Sequence, residues 1–254
     1  MITDPWFYAA AVPAVLVAGV SKGGFGGGLG VLAVPLMALT ISPVQAAAIM
    51  LPILCVMDVV NVWTYRRRWD HRAMRLLIAA AMVGIALGTA TFHLLSADAI
   101  RLIIGAVALG FTANWAWKRL RRHDPPAAGH NVAKGGFWGA VAGFTSFVAH
   151  AGGPPLNVYL LPLKLDKTVY QATTVIFFTA VNYVKLVPYA WLGQLNTGNL
   201  GTALVLMPLA PLGIWLGVWA HDRVREDLFY RAVYLFLALT GAKLTWDGIA
   251  GMVA

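Results

Sequence analysis

Two glycine-rich breaks interrupt apolar stretches long enough to cross a membrane. They are Ser21-Lys22-Gly23-Gly24-Phe25-Gly26-Gly27-Gly28 and Ala149-His150-Ala151-Gly152-Gly153-Pro154-Pro155, at corresponding places in the two halves of the chain. Glycine runs and a Pro-Pro pair disfavour helix in the solvent that least tolerates unpaired backbone groups. Such a break persists only where protein buries it or where it lines a polar cavity. A matched pair of interrupted membrane segments is the sequence pattern of a transporter's binding site.

Composition supports a membrane setting. The 254 residues are 59% hydrophobic and only 11% charged, against roughly 25% charged in soluble domains. Apolar stretches recur from end to end, which leaves room for roughly eight to ten membrane segments and no separate catalytic domain. The net charge of +9 is concentrated in short loops. Arg66, Arg67, Arg68, Arg72 and Arg75 form one group; Lys118, Arg119, Arg121, Arg122 and Lys134 flank another; Lys164 with Lys167, and Arg223, Arg225 and Arg231, form two more. The positive-inside rule places these loops in the cytoplasm. No extended basic face with interleaved aromatics is present, so nucleic acid is not an expected partner. Cys55 is the only cysteine, which excludes an intrachain disulfide. The N-terminus has no basic run before its first apolar segment, so a cleaved signal peptide is not expected. An extracytoplasmic N-terminus is.

The predicted architecture is an all-α polytopic membrane protein of two inverted repeats. Residues 1–117 form the first repeat, 118–134 a basic cytoplasmic linker containing Asp124-Pro125-Pro126, and 135–254 the second. Each repeat holds a glycine-broken helical hairpin (about 6–40 and 135–163) and three spanning helices: near 45–64, 76–95 and 100–117, then 168–190, 199–220 and 228–250. Matches between the halves run in order: Gly19 with Gly143, Gln45-Ala46 with Gln171-Ala172, Gly84-x-x-x-Gly88 with Gly213-x-x-x-Gly217, and Asp98 with Asp227. A hairpin returns to its starting side and three crossings change sides, so the halves are expected to be inverted. Residues 6–21 reach about 24 Å as helix against a core of roughly 30 Å, which favours half-helices ending inside the membrane.

Several residues carry candidate chemistry. Lys22 beside Ser21, among Gly23, Gly24, Gly27 and Gly28, puts an ammonium and accessible backbone amides where helix dipoles add positive potential: an anion site. The alternative is a lysine snorkelling to lipid phosphate. His150, with Gly152 and Gly153, donates to an anion, or carries a coupled proton, or is satisfied by backbone carbonyls. Asp58 and Asn61 share one helix face, and Asn182 and Lys185 another. They either line the pathway or form an Asp58–Lys185 pair of structural value. Gln45 and Gln171 read as pathway residues or caps. The Gly84/Gly88 and Gly213/Gly217 pairs read as close helix contacts, Lys243 and Asp247 as a local pair, and Trp63, Trp69, Trp115, Trp117, Trp191 and Trp246 as interfacial anchors. The histidines His71, His123, His130 and His221 do not form a metal-ligand cluster.

The run Val17-Ala18-Gly19-Val20-Ser21-Lys22-Gly23-Gly24-Phe25-Gly26-Gly27-Gly28, followed by Val34-Pro35-Leu36 and Ser42-Pro43-x-Gln45-Ala46-Ala47, resembles the sulfite exporter TauE/SafE family. Gly143, Gly152-Gly153-Pro154-Pro155-x-x-x-Tyr159 and Gln171-Ala172-Thr173 resemble the repeated signature. The resemblance implies a multi-pass permease of the cell membrane that moves sulfite or organosulfonate anions, usually outward. The expected protein is a secondary transporter working by alternating access, with no catalytic residues, metal or cofactor. Its expected partners are a small anion, the lipid bilayer and a second copy in a homodimer. An anion channel on the same scaffold, a membrane-embedded enzyme and a non-transporting subunit are the alternatives.

Overall fold

The computed structural model describes residues 1–24, 30–65, 69–121, 128–221, 223 and 226–253. Gly27 and Gly28 of the first break lie outside the described residues, as do Arg66–Arg68, Arg122, His123, Asp124-Pro125-Pro126 and Arg225. The described elements are all helical: α1 (Pro5–Gly24), α2 (Ala33–Met37), α3 (Pro43–Tyr65), α4 (His71–Thr91), α5 (Ala97–Arg121), α6 (Val132–Ala149), α7 (Gly153–Leu160), α8 (Lys167–Trp191), α9 (Thr197–Leu206), α10 (Leu209–His221) and α11 (Glu226–Val253). Five stretches of the described residues are long and apolar enough to cross a membrane: Pro5–Gly24, Pro43–Trp63, His71–Leu94, Ala97–Trp117 and Thr197–Ala220.

Polar side chains define several starts. Asp70 caps α4 by accepting from the Ala73 amide, Asn131 caps α6 through Lys134, Asp166 caps α8 through Thr168 and Asn196 caps α9 through Asn199. The single helix expected near 199–220 is divided into α9 and α10 at Met207-Pro208. Pro208 has no N–H to continue the ladder.

The first limb of the first hairpin is longer than its sequence suggests. Helix continues through Ser21 and Lys22 to Gly24, so α1 has 20 residues and reaches about 30 Å, the thickness of the hydrocarbon core. The returning limbs are the short elements: α2 with 5 residues and α7 with 8. Helix α1 is thus long enough to span, the alternative to a half-helix, and its final turn packs closely on α10.

Glycine contacts join elements far apart in sequence. A Cβ on Gly19 would stand 2.8 Å from the Gly213 Cα, and one on Gly24 would stand 2.2 Å from the Gly217 carbonyl oxygen. The α4–α6 contact is built the same way: a Cβ on Gly84 would stand 2.0 Å from the Ala140 oxygen, and one on Gly143 would stand 2.2 Å from that of Ala81. A third tight seam joins α5 to α11 at Gly105 and Gly241. In lipid, where apolar surface alone gives no drive to associate, such backbone approach supplies the packing. Helices α3 and α8 pack against each other at the centre. Ile49, Met50, Leu51, Ile53 and Met57 of α3 are fully buried.

At the periphery, Trp6, Trp63, Trp117, Trp191 and Trp246 are exposed, as interfacial anchors are. Lys243 pairs with Asp247 at 2.7 Å.

Gly84→Ala is expected to destabilise the protein by about 1–3 kcal/mol, because backbone on α6 must move to admit the methyl. Gly136→Ala, with no atom within 4 Å of the new Cβ, is expected to change stability by less than about 0.5 kcal/mol. Thermal unfolding in detergent compares the two.

Candidate functional site

The end of α1 and the middle of α3 and α8 place charged side chains inside the bundle. Lys22 is 8% exposed and Asp58 1% exposed, and the Lys22 ammonium contacts the Asp58 Oδ1 atom directly. Asp58 Oδ2 accepts from Asn182 Nδ2 at 2.6 Å. The carboxylate is thus held from both sides, by α1 through a charge and by α8 through an amide. Lys22 is buried and paired within the protein, in place of the lipid-facing alternative.

Lys185 lies one turn further along α8, fully buried. Its ammonium donates to the Ser146 carbonyl at 2.9 Å, to Ser146 Oγ at 3.0 Å and to His150 Nδ1 at 2.7 Å. Three acceptors match the three N–H bonds of an ammonium. Lys185 therefore turns to the end of α6, and the Asp58–Lys185 pair considered from sequence is replaced by Lys22–Asp58.

His150 terminates α6 in the left-handed region, at φ 52°, where its amide bonds Ser146 O and that of Ala151 bonds Thr145 O. Glycine is the usual residue at such a cap, since a Cβ there costs about 1–2 kcal/mol. The conformation aims the ring across to α3, and Nε2 lies 2.9 Å from the Ala47 carbonyl oxygen. A carbonyl can only accept, so Nε2 carries the proton and Nδ1 accepts from Lys185: the neutral tautomer, with both nitrogens engaged. Tyr189 adds a 2.6 Å bond from its hydroxyl to the Phe147 carbonyl. Two of the last carbonyls of α6 are thereby capped by α8 side chains.

Lys22, Asp58, Asn61 and Gln171 surround one cavity together with Thr174, Val175 and Phe178. It has room for little more than a water molecule. Thr174, Val175 and Phe178 are additions to the residues singled out from sequence, and a signal for them existed. Positions 171, 174, 178, 182 and 185 follow the helical repeat along one face of α8.

Gln45 lies elsewhere. Its Nε2 donates to Asn199 Oδ1 at 3.2 Å, and with Ser42, Gln194 and Asn196 it lines a polar cavity of about 340 Å³ at the start of α3. Ser21 is fully buried. Gly23 and Gly24 lie in the last turn of α1 against Ile214 and Gly217 of α10, where amides point back along the helix. Gly152 and Gly153 are buried, and a Cβ on Gly152 would stand 2.8 Å from the Ala142 oxygen. Pro154 and Pro155 contribute no N–H to the first turn of α7, and the Leu156 amide is used by Gly152 O.

The sulfite exporter TauE/SafE family matches residues 11–244. The chain belongs to this family. It is accordingly a multi-pass membrane protein of a transporter family. No curated protein and no solved structure matches it. Within this TauE/SafE protein, the matched span contains the Lys22–Asp58 pair, the Lys185–His150 cluster and the cavity bordered by Lys22 and Gln171.

A second polar cluster escaped the sequence reading. His130 Nε2 lies 3.3 Å from Asp70 Oδ2, and His130 Nδ1 lies 3.3 Å from the Tyr159 hydroxyl. These residues tie the segment before α6 to α4 and α7, and no periodicity marks them.

Removing one partner breaks the buried pair and leaves the other charge to re-pair within the bundle at a cost. Lys22→Ala and Asp58→Ala are each expected to lower stability by about 3–5 kcal/mol, and the double variant by less than their sum. A double-mutant cycle on thermal unfolding measures the difference.

Proposed function

We propose that the protein is a secondary transporter that exports a small sulfur-containing anion, sulfite or an organosulfonate, by alternating access. The observation that carries this reading is Lys22: an ammonium held inside the bundle, at the end of a membrane-length helix, on the wall of a small cavity that Asn61, Gln171 and Thr174 also border. A buried lysine is costly in a membrane interior unless a function retains it. Asn61, Gln171 and Thr174, on the same wall, are amide and hydroxyl groups suited to sulfonate oxygens. His150 stands beyond Lys185 at the second break, beside Gly152 and Gly153, and Gln45 belongs to the far end of the route.

Two inverted repeats, 1–117 and 135–254, are supported by exchanged packing. The first helix of the first half packs on α10, the first helix of the second half packs on α4, and α3 meets α8 as α5 meets α11. A pseudo-twofold axis in the membrane plane relates such contacts, and the site then falls between the repeats. Basic loops face the cytoplasm in this arrangement, the termini face outward, and the Gln171 cavity opens inward. The protein acts without catalytic residues or cofactor, in the cell membrane, as a monomer or homodimer, and has no nucleic-acid partner.

A carrier is favoured over a channel because packed side chains lie beyond the small cavity: Lys185 and Phe147 are almost fully buried. Each negative charge leaving an inside-negative cell gains about 2.3 kcal/mol per 100 mV, so export needs no cation.

Proteoliposomes loaded with sulfite test the reading. Efflux should saturate, show counterflow and speed up when the interior is made negative. Lys22→Gln should reduce the initial rate at least about tenfold, the equivalent of 1.4 kcal/mol. Wild-type flux in Lys22→Gln contradicts the site; flux linear in concentration favours a channel.

A further inference from the structure

The two buried ammonium groups are not equivalent. Lys22 has a carboxylate; Lys185 has a carbonyl, a hydroxyl and an imidazole nitrogen. With both lysines protonated, the cluster formed by Lys22, Asp58, Asn182, Lys185, Ser146 and His150 carries two positive charges and one negative. One monovalent anion balances it. Asp58 is also placed to serve either lysine. Its Oδ2 is bound to Asn182, and Lys185 follows Asn182 by three residues on the same face of α8, about 5–6 Å away between Cβ atoms.

We propose that Asp58 is an exchangeable counter-ion whose transfer from Lys22 to Lys185 couples anion entry to opening at the opposite end of the site. This rests on the transport reading and deepens it. A monoanion entering the cavity takes the place of Asp58 Oδ1 on Lys22. The freed carboxylate turns past Asn182 to Lys185, and both ammonium groups then have an anionic partner, the compensation a buried charge requires. Drawing the Lys185 ammonium toward Asp58 withdraws its donors from Ser146 and from His150 Nδ1. The imidazole then loses the bond that fixes its orientation, and the bond from Nε2 to Ala47 O, which ties the end of α6 to the start of α3, is released. His150 sits in a backbone conformation disfavoured for a residue with a Cβ, so this tie is poised to give way. Lys185 and His150 are positioning residues in this scheme: they act through the α6–α3 contact and not on the anion. Ser146 and Tyr189 are the other polar groups facing His150 from α6 and α8.

The same exchange explains selectivity for a single negative charge. A dianion on Lys22 leaves the cluster with an excess negative charge, and a neutral solute does not displace Asp58.

The test places a cysteine at Ala47, 1% exposed beside the His150 bond, in a Cys55→Ala background. Labelling by a membrane-impermeant thiol reagent is followed in sealed vesicles. Without any anion, Lys22→Gln deprives Asp58 of its partner and sends it to Lys185, so labelling should be at least several-fold faster than in the parent. Lys22→Gln/Asp58→Asn has no carboxylate to transfer and should label at the parent rate, as should Lys22→Arg, which keeps the charge. In the parent, methanesulfonate should accelerate labelling; in Asp58→Asn it should not. Should Lys22→Gln fail to fold, the comparison of parent and Asp58→Asn with methanesulfonate decides. Equal labelling of Lys22→Gln and parent, equal acceleration in Lys22→Gln and its Asp58→Asn double variant, or methanesulfonate-stimulated labelling of Asp58→Asn overturns the proposal. The ligand-free pattern is independent of flux. If it holds while wild-type vesicles move no sulfite or methanesulfonate, the transport reading falls and the exchange stands. If flux is normal and the pattern fails, the reverse follows.

Discussion

A charge buried in a membrane interior has to be neutralised or fully hydrogen-bonded, and the architecture is arranged around that demand. The contact of Lys22 with Asp58 fastens the end of α1 to α3. Asn182 fastens the same carboxylate to α8, and Lys185 fastens α8 to the end of α6. Four helices from both halves of the chain therefore meet at connected polar contacts. None of the buried side-chain nitrogen or oxygen atoms among the described residues lacks a hydrogen-bond partner. A network so fully satisfied in low dielectric holds one arrangement firmly and changes by exchanging partners.

The glycine seams make that cluster possible. Gly19 and Gly24 against α10, and Gly84 and Gly143 against α6 and α4, bring backbones so close that no Cβ fits between them. These seams act as fixed joints, since backbone in direct contact cannot slide without opening a void. Movement is left to contacts made by side chains: the ion pair, the Lys185 fork and the His150 bond to α3. A division between rigid seams and exchangeable polar contacts suits the alternating access proposed above.

Much of this was legible in sequence, for identifiable reasons. Lys22, Asp58, Asn61, Asn182 and Lys185 stood out because each is polar in an apolar helix, and all five prove buried. Their pairing was not legible. By sequence Asp58 can pair with either of two lysines, and only the end of α1, carried three residues past the point suggested by helix length, decides for Lys22. The glycines were visible as a cluster, but sequence does not separate a residue that leaves room for a ligand from one that leaves room for another helix; Gly23 and Gly24 do the latter. His150 was visible as a helix-end histidine. Its Ala47 partner is a backbone carbonyl 103 positions away, and no side-chain pattern encodes it. The break at Met207-Pro208 was readable from proline chemistry, yet the apolar run continues across it and conceals the division.

The most direct measurement of the central claim is a structure of the protein bound to selenite, the heavier analogue of sulfite, with selenium located by anomalous scattering. The account predicts selenium within hydrogen-bonding distance of Lys22 Nζ, with the Asp58 carboxylate turned to Lys185 and the bond from His150 to the Ala47 carbonyl lengthened or broken. Selenium confined to the polar cavity around Gln45 and Asn199, with Asp58 still on Lys22, contradicts it.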